Sequence, residues 1–174
     1  GCWNIFYGYE TGVEELAKNI LTNKKNRDFE KMKRISRWTK EAGIETRAGF
    51  LVGLPGETPE LAKKTIQTAI DLDPDYAQFT VCCPYPGTKL ANEIHEGKWG
   101  KFLTHELKKY NMWNVTWLPF GYKNAEELKN MERYAFRKFY LRPSYIIKRI
   151  MKIRRFEDIK RYIKGGAALV RGFL

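Results

Sequence analysis

Cysteine is scarce in this chain: among 174 residues only Cys2, Cys82 and Cys83 occur. An odd number that includes an adjacent pair, poorly placed for mutual bridging, does not make a disulfide framework and fits a reducing cytoplasm. Long apolar runs are missing too. No stretch approaches the roughly 20 residues of a membrane-spanning helix, and the first residues show no basic start followed by an apolar core, so nothing points to export. The two histidines, His95 and His105, lack metal-ligand spacing and read as surface or packing residues. No serine lies in a nucleophile elbow, no phosphate-loop glycine pattern occurs and no paired carboxylates stand out. Acidic residues thin out toward the end. Residues 1–128 hold 18 Lys/Arg against 17 Asp/Glu, whereas residues 129–174 hold 14 against 3, so the net charge of +12 belongs almost wholly to the tail.

What is present begins with Trp3-Asn4-Ile5-Phe6-Tyr7-Gly8, which reads as a buried strand closed by the turn Glu10-Thr11-Gly12. A helix follows from Val13. A second runs from Asp28 to Ala42, with Phe29, Met32, Ile35, Trp38 and Ala42 three or four apart and Gly43 placed for a left-handed cap. Ile44, Thr46, Ala48, Phe50 and Val52 alternate with Glu45, Arg47 and Gly49, predicting a strand that delivers the chain to Leu54-Pro55-Gly56-Glu57-Thr58. Pro55-Gly56 suits the centre of a type II turn, and Thr58-Pro59-Glu60 suits a capped helix start. Glu57 reads as a brace for that turn. A third strand, Tyr76 to Cys82, breaks at Pro84-Tyr85-Pro86-Gly87-Thr88, where Thr88 can cap a short helix. Three strands each followed by a helix predict a parallel α/β arrangement, in which the strand C-terminal ends carry the site. Residues 98–127 are rich in aromatics without a clean period and read as a connector over the sheet. Residues 128–174 read as basic helices around Leu128 to Leu141, then Ile146, Ile147, Ile150 and Met151, then Phe156, Ile159 and Ile163.

Three motifs stand in order: Tyr7-Gly8-Tyr9-Glu10-Thr11-Gly12, Gly53-Leu54-Pro55-Gly56-Glu57-Thr58 and Pro84-Tyr85-Pro86-Gly87-Thr88. Together they closely resemble the second half of the catalytic barrel of radical S-adenosylmethionine (SAM) enzymes, in the subgroup where a cobalamin-binding domain precedes the barrel. The Phe139-Tyr140-Leu141-Arg142-Pro143 stretch with the basic helices behind it resembles the C-terminal extension of that subgroup. The resemblance implies half of a (β/α)6 partial TIM-type barrel over residues 1–97, three parallel βα units, followed by a basic helical extension over 128–174. It implies SAM, a [4Fe-4S] cluster and cobalamin as cofactors. The cluster ligands, a CxxxCxxC loop after the first barrel strand, and the cobalamin domain would lie outside this chain, which would then be a fragment or a split subunit and inactive alone. Cys82-Cys83 cannot replace that loop, because three thiolates must surround one cluster from spaced positions.

By the same resemblance Glu10 holds the aminoacyl or ribose end of SAM, with a solvated turn carboxylate as the other reading. Leu51 packs on the adenine or is a core leucine. Lys24 or Lys25 pairs with the SAM carboxylate. Tyr85 borders the adenine or anchors its loop. The implied activity is that of a methyltransferase or a carbon-skeleton-modifying enzyme acting on a small-molecule or lipid-like substrate. Another is a methylthiotransferase-like modifier of RNA or protein, whose usual terminal β-barrel contrasts with this helical tail. A reading of a different class is a non-catalytic module that grips nucleic acid or an anionic membrane surface through residues 142–164. The expected location is the cytoplasm, with membrane association through that basic segment.

Overall fold

The computed structural model describes residues 1–20 and 28–153. Strands β1 (Asn4–Glu10), β2 (Glu45–Val52) and β3 (Tyr76–Val81) form a parallel sheet in that order. Helices α1 (Glu14–Ile20) and α2 (Phe29–Glu41) lie between the first two strands in sequence, and α3 (Pro59–Leu72) lies between the second and third. The starts of α2 and α3 are set by short polar side chains that satisfy a helix N–H: Asp28 accepts from Lys31 at 2.8 Å, and Thr58 from Leu61 at 3.4 Å with Pro59 in the first turn. The short helix α4 (Lys89–His95) is capped in the same way by Thr88.

Alternation along β2 decides the two faces of the sheet. Thr46, Ala48, Phe50 and Val52 are buried, while Arg47, Gly49 and Leu51 turn to the other side. The buried side carries a ladder of rings. Tyr9 meets Phe50 at 6.0 Å, Phe50 meets Phe79 at 5.5 Å, and Phe79 meets Phe136 edge-on at 5.5 Å. Phe136 belongs to α5 (Ala125–Tyr140), whose Leu128, Ala135 and Phe139 complete this core; α6 (Pro143–Met151) adds Tyr145. Residues from both ends of the sequence therefore share one core.

Three expectations are corrected. β1 continues to Glu10 and is only half covered, with Trp3 71% and Phe6 56% exposed. The reason is position: it pairs only with β2 among the described residues, and nothing described covers its Phe6 side. Trp38 is exposed under Arg34, and α2 instead buries Ser36 and Thr39, whose hydroxyls meet those of Tyr9 at 2.8 Å and Tyr7 at 2.6 Å. Hydroxyl pairing makes that polar contact tolerable in a core. Third, residues 98–127 contain a second, antiparallel sheet of β4 (Gly100–Phe102) and β5 (Trp117–Pro119), too short at three residues each for alternation to show in sequence.

At the other end of the sheet, Asp73 and Asp75 lead into β3 and gather cations. Lys40, Arg142 and Lys148 pair with Asp73; Arg149 and Lys152 pair with Asp75. Asp75 also accepts from the Thr46 N–H at 2.9 Å. The helix that the sequence marks as basic thus turns part of its charge toward the protein. The third basic segment, around Phe156, Ile159 and Ile163, lies outside the described residues. No helix among the described residues is long and apolar enough to cross a membrane.

Candidate functional site

The parallel strands bring their C-terminal ends to one edge: Val52 pairs with Val81, its carbonyl accepting from Cys82 N–H at 2.8 Å, and β1 ends at Glu10 beside Phe50 after a register shift following Gly8. Around the turns sits a second apolar cluster of Leu16, Leu54, Cys82, Ile94 and Trp117, against which Leu51 packs half-buried. Trp117 on β5 donates its indole N–H to the Cys82 carbonyl at 2.8 Å and holds the third turn.

Glu10 closes β1 in an unusual conformation. Its φ is +59°, a left-handed backbone that costs an ordinary residue on the order of 1–2 kcal/mol, and the Thr11 N–H reaches across it to the Tyr9 carbonyl at 2.6 Å. The carboxylate folds back over Gly8, occupying the space that a Cβ there would need. Gly8 pairs with Gly49, and Gly49 with Gln78. These two adjacent glycines make room for neighbouring side chains, Glu10 over Gly8 and the Phe6 ring over Gly49.

The second turn is held from inside. Glu57 is fully buried, and one carboxylate oxygen accepts from the Gly53 N–H at 2.5 Å and the Tyr122 hydroxyl at 2.7 Å, while Oε2 has no hydrogen-bond partner. Burial pushes its carboxyl up to about 7, against the lowering effect of the hydrogen bonds from Tyr122, Gly53 and Leu54. Gly53 and Gly56 take φ of +77° and +80°. Gly121 has no space for a side chain because the Glu57 carbonyl lies against it. Asn19 on α1 donates to the Pro55 carbonyl at 2.9 Å and ties the first unit to the turn. Glu57 is thus the brace its sequence position suggests; its partner Tyr122, 65 residues on, has no local signal.

The structure brings Glu10 and Leu51 to one end of the sheet. Tyr85, in the turn after β3, is 51% exposed, with its ring 6.5 Å from that of Tyr110. Lys24 and Lys25 lie outside the described residues. His95 and His105 come together as stacked rings 5.7 Å apart, both against Phe102, a packing arrangement made through the β4 strand.

The thiols do not suit a metal cluster. Cys82 is buried, and burial, then the charge of Glu57, pushes its thiol up to about 12, so it stays protonated near neutrality, whereas cluster ligation needs thiolates. Burial also raises Cys83, and no group of three or more His, Cys, Asp or Glu able to hold a metal ion occurs among the described residues. At this end of the sheet Leu51 offers a half-buried apolar side chain and Glu10 a carboxylate acceptor.

No protein-family model matches the chain. It is 32% identical over 173 residues to an uncharacterized methyltransferase of Pyrococcus horikoshii, covering 95% of this chain and 34% of that one. It is 27% identical over 146 residues to the anaerobic magnesium-protoporphyrin IX monomethyl ester cyclase of Rubrivivax gelatinosus, covering 84% and 25%. The chain thus spans about a third or less of the length of these curated relatives. Among solved structures it matches the radical SAM methyltransferase TsrM of Kitasatospora setae, solved with cobalamin and a [4Fe-4S] cluster bound. The TM-score is 0.51 at 29% identity, over 56% of this chain and 19% of that one. These similarities support the radical SAM family. TsrM has also been solved with tryptophan substrate and a SAM analog, at the same similarity. The archaeal Elp3 of Methanocaldococcus infernus, at 22% identity and a TM-score of 0.50 over 59% of this chain and 24% of that one, shares the fold.

Proposed function

We propose that this chain is the SAM-binding second half of the catalytic barrel of a cobalamin-dependent radical SAM enzyme, of methyltransferase or carbon-skeleton-modifying type. The observation that carries the reading is the row of three parallel strands whose ends present Glu10, the Gly53–Thr58 turn and the Cys83–Thr88 turn on one edge. In support, relatives that align with most of this chain include a methyltransferase and a cyclase, and TsrM binds cobalamin, a cluster and a SAM analog. The cluster ligands and the cobalamin domain belong to a preceding half of the same protein or to a split partner. With those parts the cofactors would supply radical and methyl-transfer chemistry. The contribution of this half is to bind and orient SAM. Glu10 accepts from its ammonium or ribose hydroxyls, Leu51 and Tyr85 flank the adenine, and Lys24 or Lys25 pairs with its carboxylate.

The test uses the complete enzyme. Glu10→Ala should weaken SAM binding roughly ten- to hundredfold, the loss of one charge-assisted hydrogen bond of about 1.5–3 kcal/mol, with cluster absorbance unchanged. Glu10→Gly should weaken SAM equally without lowering thermal stability, since glycine takes φ of +59° without strain. Unchanged SAM affinity in both would return Glu10 to a turn carboxylate. Cluster assembly by the 174-residue chain alone, followed by 5′-deoxyadenosine release, would overturn the division of labour between the halves.

A further inference from the structure

Helix α6 is packed with its apolar side outward. On a helical projection Ile146, Ile147, Ile150 and Met151 share one arc, and they are 43%, 55%, 60% and 71% exposed. The opposite arc carries Tyr145, Lys148, Arg149 and Lys152. Tyr145 is buried, its hydroxyl donating to the Asp75 carbonyl at 3.0 Å, and the Arg149 side chain is only 12% exposed against the Tyr76 and Tyr145 rings. An amphipathic helix on a folded protein ordinarily buries its apolar stripe and exposes its charges. Here the charged arc is the anchor, fixed by Asp73 and Asp75, and the apolar arc is what remains for a partner. Leu141, 51% exposed just before the helix, lies next to it in sequence.

The charge at the anchor indicates which partner. Among the described residues Lys40, Arg142, Lys148, Arg149 and Lys152 meet only two carboxylates, a surplus of three positive charges around the anchor of α6, with the Lys148 and Lys152 side chains 53% and 57% exposed. Residues 154–174 add six more Lys/Arg against two Asp/Glu. A protein groove that takes an apolar helix face has no need of a basic surround, whereas an anionic lipid surface requires both apolar side chains to insert and cations to meet its headgroups. We infer that α6 is a peripheral membrane-docking element, seating Ile146, Ile147, Ile150 and Met151 among acyl chains at an anionic bilayer surface. The inference does not depend on the SAM reading, because the stripe lies beyond α5 and uses none of the strand-end residues.

The test is flotation of the full chain with vesicles of phosphatidylcholine alone and with phosphatidylglycerol added to about a third. The chain should float with the mixed vesicles and lose at least about tenfold in partitioning with neutral ones. It should lose a similar factor in Ile147→Glu/Ile150→Glu, which changes exposed residues only and should leave the melting temperature unchanged. Equal flotation of the double variant would overturn the docking role of the stripe. So would an absence of flotation together with a dimer that the double variant dissociates, which would assign the stripe to a second copy. RNA binding that both forms share, with no vesicle binding, would assign the basic tail to nucleic acid and likewise overturn it. If Ile147→Glu/Ile150→Glu lowers stability, Met151→Glu, at the most exposed position, is the variant on which the outcome rests.

Discussion

Asp75→Ala should lower the unfolding free energy by about 3–5 kcal/mol, the usual cost of leaving buried partners of a broken ion-pair cluster uncompensated. Asp75 is 7% exposed and accepts from the Thr46 N–H and hydroxyl, while Arg149 and Lys152 pair with it. Removing it strands a guanidinium held against two tyrosine rings and an unpaired strand N–H. The same cluster sets an acid limit. Burial on its own raises the Asp75 carboxyl, but the hydrogen bonds from Lys152 and Thr46 and the charges of Lys152 and Arg149 hold it below the ordinary aspartate value; Asp73 is held down likewise. A carboxylate whose value is depressed by folding contributes stability that is present above its unfolded value, near 4, and is lost as pH falls through the folded one. Urea unfolding between pH 3 and pH 6 should therefore show stability falling toward acid, with that slope reduced in Asp75→Ala. A loss under about 1 kcal/mol would mean that α6 is held by its tyrosine rather than by charge.

Glu57 should produce the opposite slope at higher pH. Its carboxyl is raised from 4.5 to about 7 in the folded protein, so the native state holds a proton that the unfolded state has released. Stability from this group is present below about 4.5 and is lost as pH rises through about 7, a difference of about 3 kcal/mol at roughly 1.4 kcal/mol per unit. The wild-type chain should thus weaken steadily from pH 5 to pH 8, and Glu57→Gln should be nearly flat over that range. Glutamine keeps an acceptor for the Gly53 N–H and the Tyr122 hydroxyl and carries no charge to desolvate, so it should match or exceed the wild type at pH 8. Tyr122→Phe removes one of the hydrogen bonds that lower the Glu57 carboxyl and should carry the wild-type fall to higher pH. Parallel pH profiles for wild type and Glu57→Gln would show that the buried carboxyl is not what titrates.

The sequence by itself determined the local elements that chemistry fixes over a few residues. Thr58 and Thr88 cap helices where their spacing predicts, Gly43 and Gly56 take positive φ, and the alternation through β2 separates a buried from an open face. Motif order at the strand ends was equally legible, because turn and cap residues act on their immediate neighbours. What only the tertiary structure decided are the partners that lie far apart in the chain. Tyr122 reaches Glu57, Arg149 reaches Asp75, Trp117 reaches Cys82, and Ser36 and Thr39 meet two tyrosines on β1. No periodicity encodes such pairs, since a buried polar group is tolerated only where a partner meets it, and that meeting is set by the packing of whole elements. The same reason governs α6. Its pattern of isoleucines and cations fixed an amphipathic helix, but which arc faces the protein was settled by two aspartates some 70 residues earlier.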